Sequence, residues 1–183
     1  MGGFEKMADR LFHIATGDAK KRWLYTPFVG LLFLCFLALI FIAAFAFDGW
    51  LHLPSISLLP WTSILALILL VPGLMLIIWI WILFLLAHGT PIPLNPPQNL
   101  VTTGPYTFSR NPMLTGIYLV FFGIGLWIGS LSLTFIFTPL LIILLTLEII
   151  KIEEKELELQ FGQQYLDYKK KVPMYLFLWR RRT

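Results

Sequence analysis

Four uncharged apolar runs dominate this chain of 183 residues: Phe28–Phe47, Ile64–Ala87, Pro112–Ile128 and Leu131–Leu147. A helix that crosses the hydrocarbon core of a bilayer needs about 20 apolar residues, with roughly 17 to 25 tolerated. The first two runs meet this length easily, and the last two lie at its short end. An open sheet cannot satisfy its edge in lipid, and the runs lack the alternation of a barrel strand. The sequence therefore predicts an all-α, polytopic membrane protein with about four transmembrane helices.

Charge supports the same class and predicts a topology. Charged residues make up only 13% of the chain, whereas a soluble domain averages about 25%. Lys and Arg occur before the first span, in the loop His88–Asn111 and after Glu148, but not in the loop Asp48–Trp61. With four spans, every basic residue falls on one side, which predicts that both termini are cytoplasmic. This charge suits an anionic inner leaflet and requires no nucleic acid partner.

The chain divides into four predicted segments. Residues 1–23 form a cytoplasmic segment with apolar residues at helical spacing, which predicts a surface amphipathic helix, with a frayed polar terminus as the alternative. Residues 24–87 hold the first two transmembrane helices, and residues 174–183 form a basic tail. Residues 88–173 contain a proline-rich loop, a helical hairpin and a C-terminal helix. A long loop of this kind is often functional. Prolines inside the second and fourth runs predict kinks at Pro72 and Pro139.

The third helix is predicted to begin where the loop ends. Asn111 is a strong N-cap residue, and Pro112 favours the first helical position. The free amides of this helix start, with Arg110 beside them, would bind an anion. Taken singly, capping and a positive-inside signal also explain these residues. Only Gly129 and Ser130 join helices three and four, so the end of helix four must return to the level of Pro112.

The segment that returns there is acidic. It contains Glu148 and a charged run that includes Glu153 and Glu154. Such runs are commonly solvated helix surfaces, but an ionisable residue close to an apolar span, such as Glu148, is more often functional. An anion site opposite a carboxylate pair would match a zwitterionic ligand. No metal site is predicted, because the histidines are scattered along the chain: His13, His52 and His88.

Two motifs flank the helical hairpin. The first comprises Leu100-Val101-Thr102-Thr103-Gly104-Pro105-Tyr106, Arg110-Asn111-Pro112 and Gly116, and the second comprises Glu153-Glu154-Lys155, Leu157, Phe161-Gly162, Tyr165, Tyr168 and Val172-Pro173. In order and spacing they resemble the isoprenylcysteine carboxyl methyltransferase family, which is related to phospholipid N-methyltransferases. The chain departs from that pattern at Asn111, where the family has His, and at Leu114, where it has Tyr. Because Asn cannot titrate, position 111 has no acid–base role.

The resemblance implies a membrane methyltransferase with a cytoplasmic S-adenosylmethionine pocket in the C-terminal half of the chain. The lipophilic acceptor would be an isoprenylcysteine-like carboxylate or a phospholipid amine. Two residues receive catalytic roles: Arg110 would orient a carboxylate acceptor, and Glu154 would deprotonate an amine. The resemblance implies these cofactor-binding residues: Gly104, Tyr106, Arg110, Asn111, Pro112, Gly116, Glu153 and Glu154.

Two other functions stay open at this point. Membrane sterol-type reductases resemble this architecture near the C-terminus, but the phosphates of NADPH would demand more basic residues than Arg110 alone. A non-catalytic membrane subunit would keep the bundle without the chemistry, and the intact Arg110, Glu153 and Glu154 argue against it. Cofactor binding separates the three functions, whereas nothing in the sequence predicts the oligomeric state.

Overall fold

The computed structural model of the protein describes residues 13, 17–55, 59–92, 97 and 99–175. All regular secondary structure in these residues is helical, which confirms the predicted all-α class. Most of the predicted N-terminal amphipathic helix lies outside the described residues. The same holds for Pro93 and Pro96 of the loop and for the basic tail beyond Tyr175.

The described residues contain six α-helices, numbered here in chain order: α1 (Ala19–Trp50), α2 (Leu59–Leu86), α3 (Pro112–Ile128), α4 (Thr138–Glu148), α5 (Glu154–Phe161) and α6 (Gln163–Lys171). A 3₁₀ turn at Gly104–Thr107 precedes α3. Two π turns, Leu133–Phe137 and Ile149–Glu153, lie before and after α4. The helical backbone therefore continues from α4 into α5 without a break.

Within the described residues, three stretches are long and apolar enough to cross a membrane: Trp23–Trp50, Pro60–Leu86 and Leu133–Phe161. Helix α3 is apolar but shorter, with 17 residues, or about 25 Å at 1.5 Å per residue. Its bounds coincide with the predicted run. Many large apolar side chains of α1 and α2 are exposed, which is the pattern of helices that face lipid rather than water.

The described residues form two compact units. Of these residues, the first unit takes those up to Leu31, from Trp79 to Pro112 and from Thr146 onward, and the second unit takes those from Leu32 to Ile78 and from Met113 to Leu145. In the second unit, α3 and the following helix are joined through Gly129 and Ser130, as predicted. The Ser130 hydroxyl donates a hydrogen bond to the Asp48 carboxylate, which also accepts the backbone N–H of Ser132 at 3.0 Å. Asp48 thereby satisfies one free amide at a helix start.

The predicted kink at Pro139 coincides with a locally widened helix. A proline ring crowds the carbonyl group four residues earlier, here that of Phe135, which lies inside the first π turn. The hydroxyl of Thr138 donates to the Leu133 carbonyl oxygen at 2.6 Å. The π turn thus relieves the crowding while the backbone groups around it stay bonded.

Candidate active site

Arg110 lies at the centre of a hydrogen-bonded network within the first unit. Its Nη1 donates to the Glu154 carboxylate and to the Tyr165 hydroxyl, the latter at 3.2 Å, and its Nε donates to the Val172 carbonyl oxygen at 3.1 Å. The Arg110 and Glu154 side chains are only 11% and 7% exposed. A guanidinium has five N–H donors. Three are used here, and Nη2 donates to no described residue.

The backbone of the C-terminal segment holds the loop before α3. The carbonyl oxygen of Pro173 accepts the Arg110 backbone N–H at 2.9 Å, and that of Met174 accepts the Ser109 hydroxyl at 2.9 Å. Together with the Val172 carbonyl, these groups form what we term the carbonyl clasp, defined by Val172, Pro173 and Met174. Helix α6 adds a further bond, because the Tyr168 hydroxyl donates to the Tyr106 carbonyl oxygen at 2.7 Å. The clasp fixes the position from which Arg110 extends.

Both carboxylate oxygens of Glu154 are engaged. Oε1 accepts from Arg110, and Oε2 lies 2.6 Å from the Lys169 ammonium, which also contacts Glu158 at 2.8 Å. Burial of the Lys169 ammonium disfavours its charge, but the bonds to Glu154 and Glu158 outweigh this and raise its pKa. Glu154 and Glu158 can share one lysine because residues four apart lie on one helix face. A base role for Glu154 would require one of its two ion pairs to open.

A different face of α5 carries Glu156 and Gln160, together with Glu153 just before the helix. At 3.6 residues per turn, these three lie within about 60° of one another and point away from Glu154. The π turn Ile149–Glu153 brings Glu148 towards the same face, because i→i+5 bonding stacks residues five apart. Glu153 lies close enough to Glu148 and Glu156 for the three side chains to repel one another when they are ionised. We term this set, Glu148, Glu153, Glu156 and Gln160, the acidic face.

Polar groups on the acidic face lack partners. Within the described part of the chain, the carboxylates of Glu153 and Glu156 have neither a hydrogen bond nor an ion pair. Glu156 is only 5% exposed, and the Oε1 atom of Gln160 is buried without a donor. Buried polar groups in proteins are normally hydrogen-bonded. The acidic face is therefore suited to a ligand that carries a cation or several hydrogen-bond donors.

Tyr106 borders the acidic face. Burial, followed by the charge of Glu153 and the neighbouring Tyr168, raises the pKa of the Tyr106 hydroxyl, so this group is a protonated donor at neutral pH. Its ring packs against Phe84, with 5.8 Å between the ring centroids. Gly104, at the start of the same turn, has a φ of +59° and lies against Trp79. A glycine is therefore required there by the backbone conformation.

The other predicted cofactor residues have structural positions of their own. Pro112 is fully buried at the start of α3, and the backbone N–H of Asn111 donates to the clasp at Met174. Gly116 belongs to the second unit, where a Cβ would lie 2.9 Å from the Gly73 carbonyl oxygen. Close helix packing accounts for glycine at this position.

The sequence motifs did not indicate every member of the network. Lys169 and Gln160 belong to neither motif, and the clasp acts through carbonyl groups, which every residue possesses. One signal was available, because Glu156 and Gln160 are spaced four residues apart and must share a face of any helix.

Comparison with known families matches the phospholipid methyltransferase model to residues 61–164, which is more than half of the chain. The chain belongs to the phospholipid methyltransferase family. No curated protein and no solved structure matches it. The match with the phospholipid methyltransferases includes Tyr106, Arg110 and the acidic face, and it ends just before Tyr165, Lys169 and the clasp.

Membership of the phospholipid methyltransferase family makes this protein a membrane methyltransferase that acts on lipid. Enzymes of the family generally use S-adenosylmethionine. The match supports the methyltransferase relationship that the motifs indicated, but not the isoprenylcysteine-specific branch. The sterol-type reductase alternative gains no support from it.

Proposed function

We propose that the protein transfers the methyl group of S-adenosylmethionine to the headgroup amine of a phospholipid. The observation that carries this proposal is the set of groups left unpaired around the Arg110 network. Arg110 offers the two N–H donors of Nη2, Tyr106 offers a protonated hydroxyl, and Glu153 offers an acidic side chain without an ion pair. This combination of one cation, one neutral donor and one acidic group complements a zwitterionic ligand, whose ammonium group would favour the ionised form of Glu153.

The residues present fit the amino-acid part of the cofactor. Nη2 of Arg110 would hold its carboxylate, because a guanidinium presents paired donors to such a group. Glu153 would hold its ammonium group, and Tyr106 would form one wall. When bound, the cofactor supplies an electrophilic methyl group on a sulfonium centre.

The charge of the acidic face favours an amine acceptor over a carboxylate acceptor. Glu148, Glu153 and Glu156 lie close enough to repel one another when they are ionised. An anionic acceptor would add to this repulsion, which is stronger in a site shielded from water. A phospholipid amine is attracted by the same charges. This favours the phospholipid amine over the isoprenylcysteine-like carboxylate, in agreement with the name of the family.

Glu154 then acts as a positioning residue rather than as the base. Its two oxygens hold Arg110 and Lys169, so it fixes the direction of the guanidinium. The proton of an ammonium acceptor passes more readily to a carboxylate without an ion pair, and the acidic face provides one.

Calorimetry with S-adenosylmethionine on the detergent-purified protein tests the cofactor site. We expect Glu153→Gln to weaken binding by about 10- to 150-fold, the range for losing a hydrogen bond to a charged group. Asp167→Asn is the matched control, because Asp167 is an exposed acid on α6 that pairs with Lys170. No binding to the folded wild-type protein, or equal binding by wild type and Glu153→Gln, would refute this assignment.

A transfer assay tests the acceptor. Tritiated methyl transfer to phosphatidylethanolamine is expected, with none to phosphatidylglycerol, which lacks an amine. Transfer to a prenylated cysteine carboxylate instead would overturn the choice of acceptor while leaving the methyltransferase activity intact.

A further inference from the structure

Glu156 and Gln160 form a pair of buried hydrogen-bond acceptors for which the cofactor assignment gives no role. They lie four residues apart on α5, one helical turn along the same face. Glu156 is 5% exposed, and its carboxylate has no partner among the described residues. The Oε1 atom of Gln160 is likewise buried without a donor. The buried Gln160 oxygen is costly unless a ligand supplies its donor, and the Glu156 carboxylate beside it can bind the same ligand.

The local charge balance indicates that this ligand is cationic. Glu148 and Glu156 repel each other electrostatically, and Glu153 is coupled to both. The nearest paired cations, Arg110 and Lys169, are committed to Glu154 on a different face of the helix. In the proposed cofactor site, the ammonium group of S-adenosylmethionine pairs with Glu153, which leaves Glu148 and Glu156 without a cation. A second ammonium group beside the cofactor would pair with them and favour their ionised forms.

We infer that Glu156 and Gln160 form the subsite that binds the ammonium group of the acceptor lipid and determines specificity for an amine. This inference rests on the proposed function and assigns residues to its acceptor side. A primary ammonium group has three N–H donors, enough to reach both Glu156 oxygens and the Gln160 carbonyl. Glu148, one π turn before Glu153, adds a third acidic side chain towards the apolar part of the helix.

The same geometry gives Glu156 the first chemical step. Before attack, an N–H bond of the bound ammonium breaks and its proton moves to a Glu156 oxygen, which leaves a lone pair on the nitrogen. That lone pair forms the new N–C bond, while the electron pair of the broken methyl C–S bond stays on sulfur. Gln160, which cannot take the proton, keeps the nitrogen oriented throughout. Charge and atoms balance without any further reactant.

The test compares Glu156→Gln and Gln160→Leu with wild type and with the Asp167→Asn control. For dihexanoyl phosphatidylethanolamine we expect Glu156→Gln to lower kcat/KM by about 10- to 150-fold. We expect Gln160→Leu to raise KM with little change in kcat, because it removes an orienting acceptor only. Both variants should bind S-adenosylmethionine within about twofold of wild type, whereas Glu153→Gln should not.

Gln160→Leu also separates a ligand subsite from a structural role. Replacing an unsatisfied buried amide with an apolar side chain should leave thermal stability equal or higher, so a raised KM cannot come from unfolding. Binding of dihexanoyl phosphatidylethanolamine, measured by calorimetry with S-adenosylhomocysteine present, provides a readout that does not depend on turnover. We expect weaker binding by both variants, and no heat with dihexanoyl phosphatidylglycerol.

The two proposals fail in different ways. Suppose that wild type binds the cofactor and methylates phosphatidylethanolamine, and that Glu156→Gln and Gln160→Leu match it in KM and lipid binding. The assignment of the subsite is then wrong, and the proposed function stands. If wild type methylates neither lipid, the proposed function fails, and the subsite is then judged by lipid binding alone. A loss of S-adenosylmethionine binding in Glu156→Gln would assign Glu156 to the cofactor and overturn the inference.

Discussion

Replacement of Glu154 by Gln provides the sharpest test of the Arg110 network. The substitution preserves side-chain size but removes the negative charge, and it leaves Arg110 as a cation that is only 11% exposed. Removing one partner of a buried ion pair lowers the free energy of unfolding by about 3–5 kcal/mol. Because glutamine can still accept one hydrogen bond, we expect a loss near the lower end, about 3 kcal/mol.

Glu158→Gln is the matched control for this loss. Both residues lie on the same face of α5 and both contact Lys169, but the Lys169–Glu158 pair is 33% and 36% exposed. An exposed pair contributes about 0–1 kcal/mol. For a chain of this length each kcal/mol shifts Tm by roughly 2–4 °C. We therefore expect Tm to fall by about 6–12 °C for Glu154→Gln and by less than about 4 °C for Glu158→Gln.

Thermal unfolding in detergent, followed by tryptophan fluorescence, measures these shifts. A double-mutant cycle with Arg110→Gln identifies the partner, since contacting residues show non-additive effects. The double variant should lose less stability than the sum of the single variants. Equal shifts for Glu154→Gln and Glu158→Gln, or strict additivity with Arg110→Gln, would show that the pair is not the buried anchor described here.

Three further predictions concern packing, pH and topology. Gly116→Ala should destabilise the protein by about 1–3 kcal/mol, because the new Cβ would lie 2.9 Å from a backbone carbonyl oxygen. Gly49→Ala is the control, since its new Cβ would meet nothing within 4 Å. It should be neutral or stabilising in the same melting assay. The ion pairs of Lys169 raise its pKa above the usual 10.5. Their contribution to the stability of the folded protein is therefore complete below pH 10.5 and is lost as the pH rises through the pKa of the folded state. Above about pH 10.5, Tm of wild type should fall more steeply than Tm of Lys169→Met. The positive-inside rule places Ser55 outside the cell and Gln163 in the cytoplasm. In a cysteine-free background, a cysteine at position 55 should react with an impermeant maleimide in intact cells, and one at position 163 only after permeabilisation. The reverse labelling pattern would show that the predicted orientation is wrong.

The sequence was most informative where an element is set by its own composition. The bounds of α3 could be predicted because an apolar run begins at Asn111-Pro112 and stops at glycine. The return of the acidic segment to the level of Pro112 followed from hairpin geometry, since two antiparallel helices of similar length return the chain to its starting level, whereas the pairing of Arg110 with Glu154 was not predicted. These predictions required only helix rise, capping preference and the thickness of a bilayer.

The sequence was least informative where the site depends on register or on backbone groups. The π turn Ile149–Glu153 shifts the helix by a fraction of a turn, and a regular helix would place Glu148 and Glu153 about 140° apart. Nothing in the composition of this turn marks it as π-helical. Lys169 could not be assigned to Glu154 rather than to another acid, because long flexible side chains choose partners according to tertiary packing.

The carbonyl clasp has a consequence for how variation in such proteins is interpreted. Val172, Pro173 and Met174 hold Arg110 and Ser109 through main-chain oxygens, so most substitutions at these positions preserve the contact. A substitution scan would therefore score the segment as tolerant. Truncation before Val172 would remove all three carbonyl groups at once. The dispensability of this segment can therefore be judged only by shortening the chain, not by changing its residues.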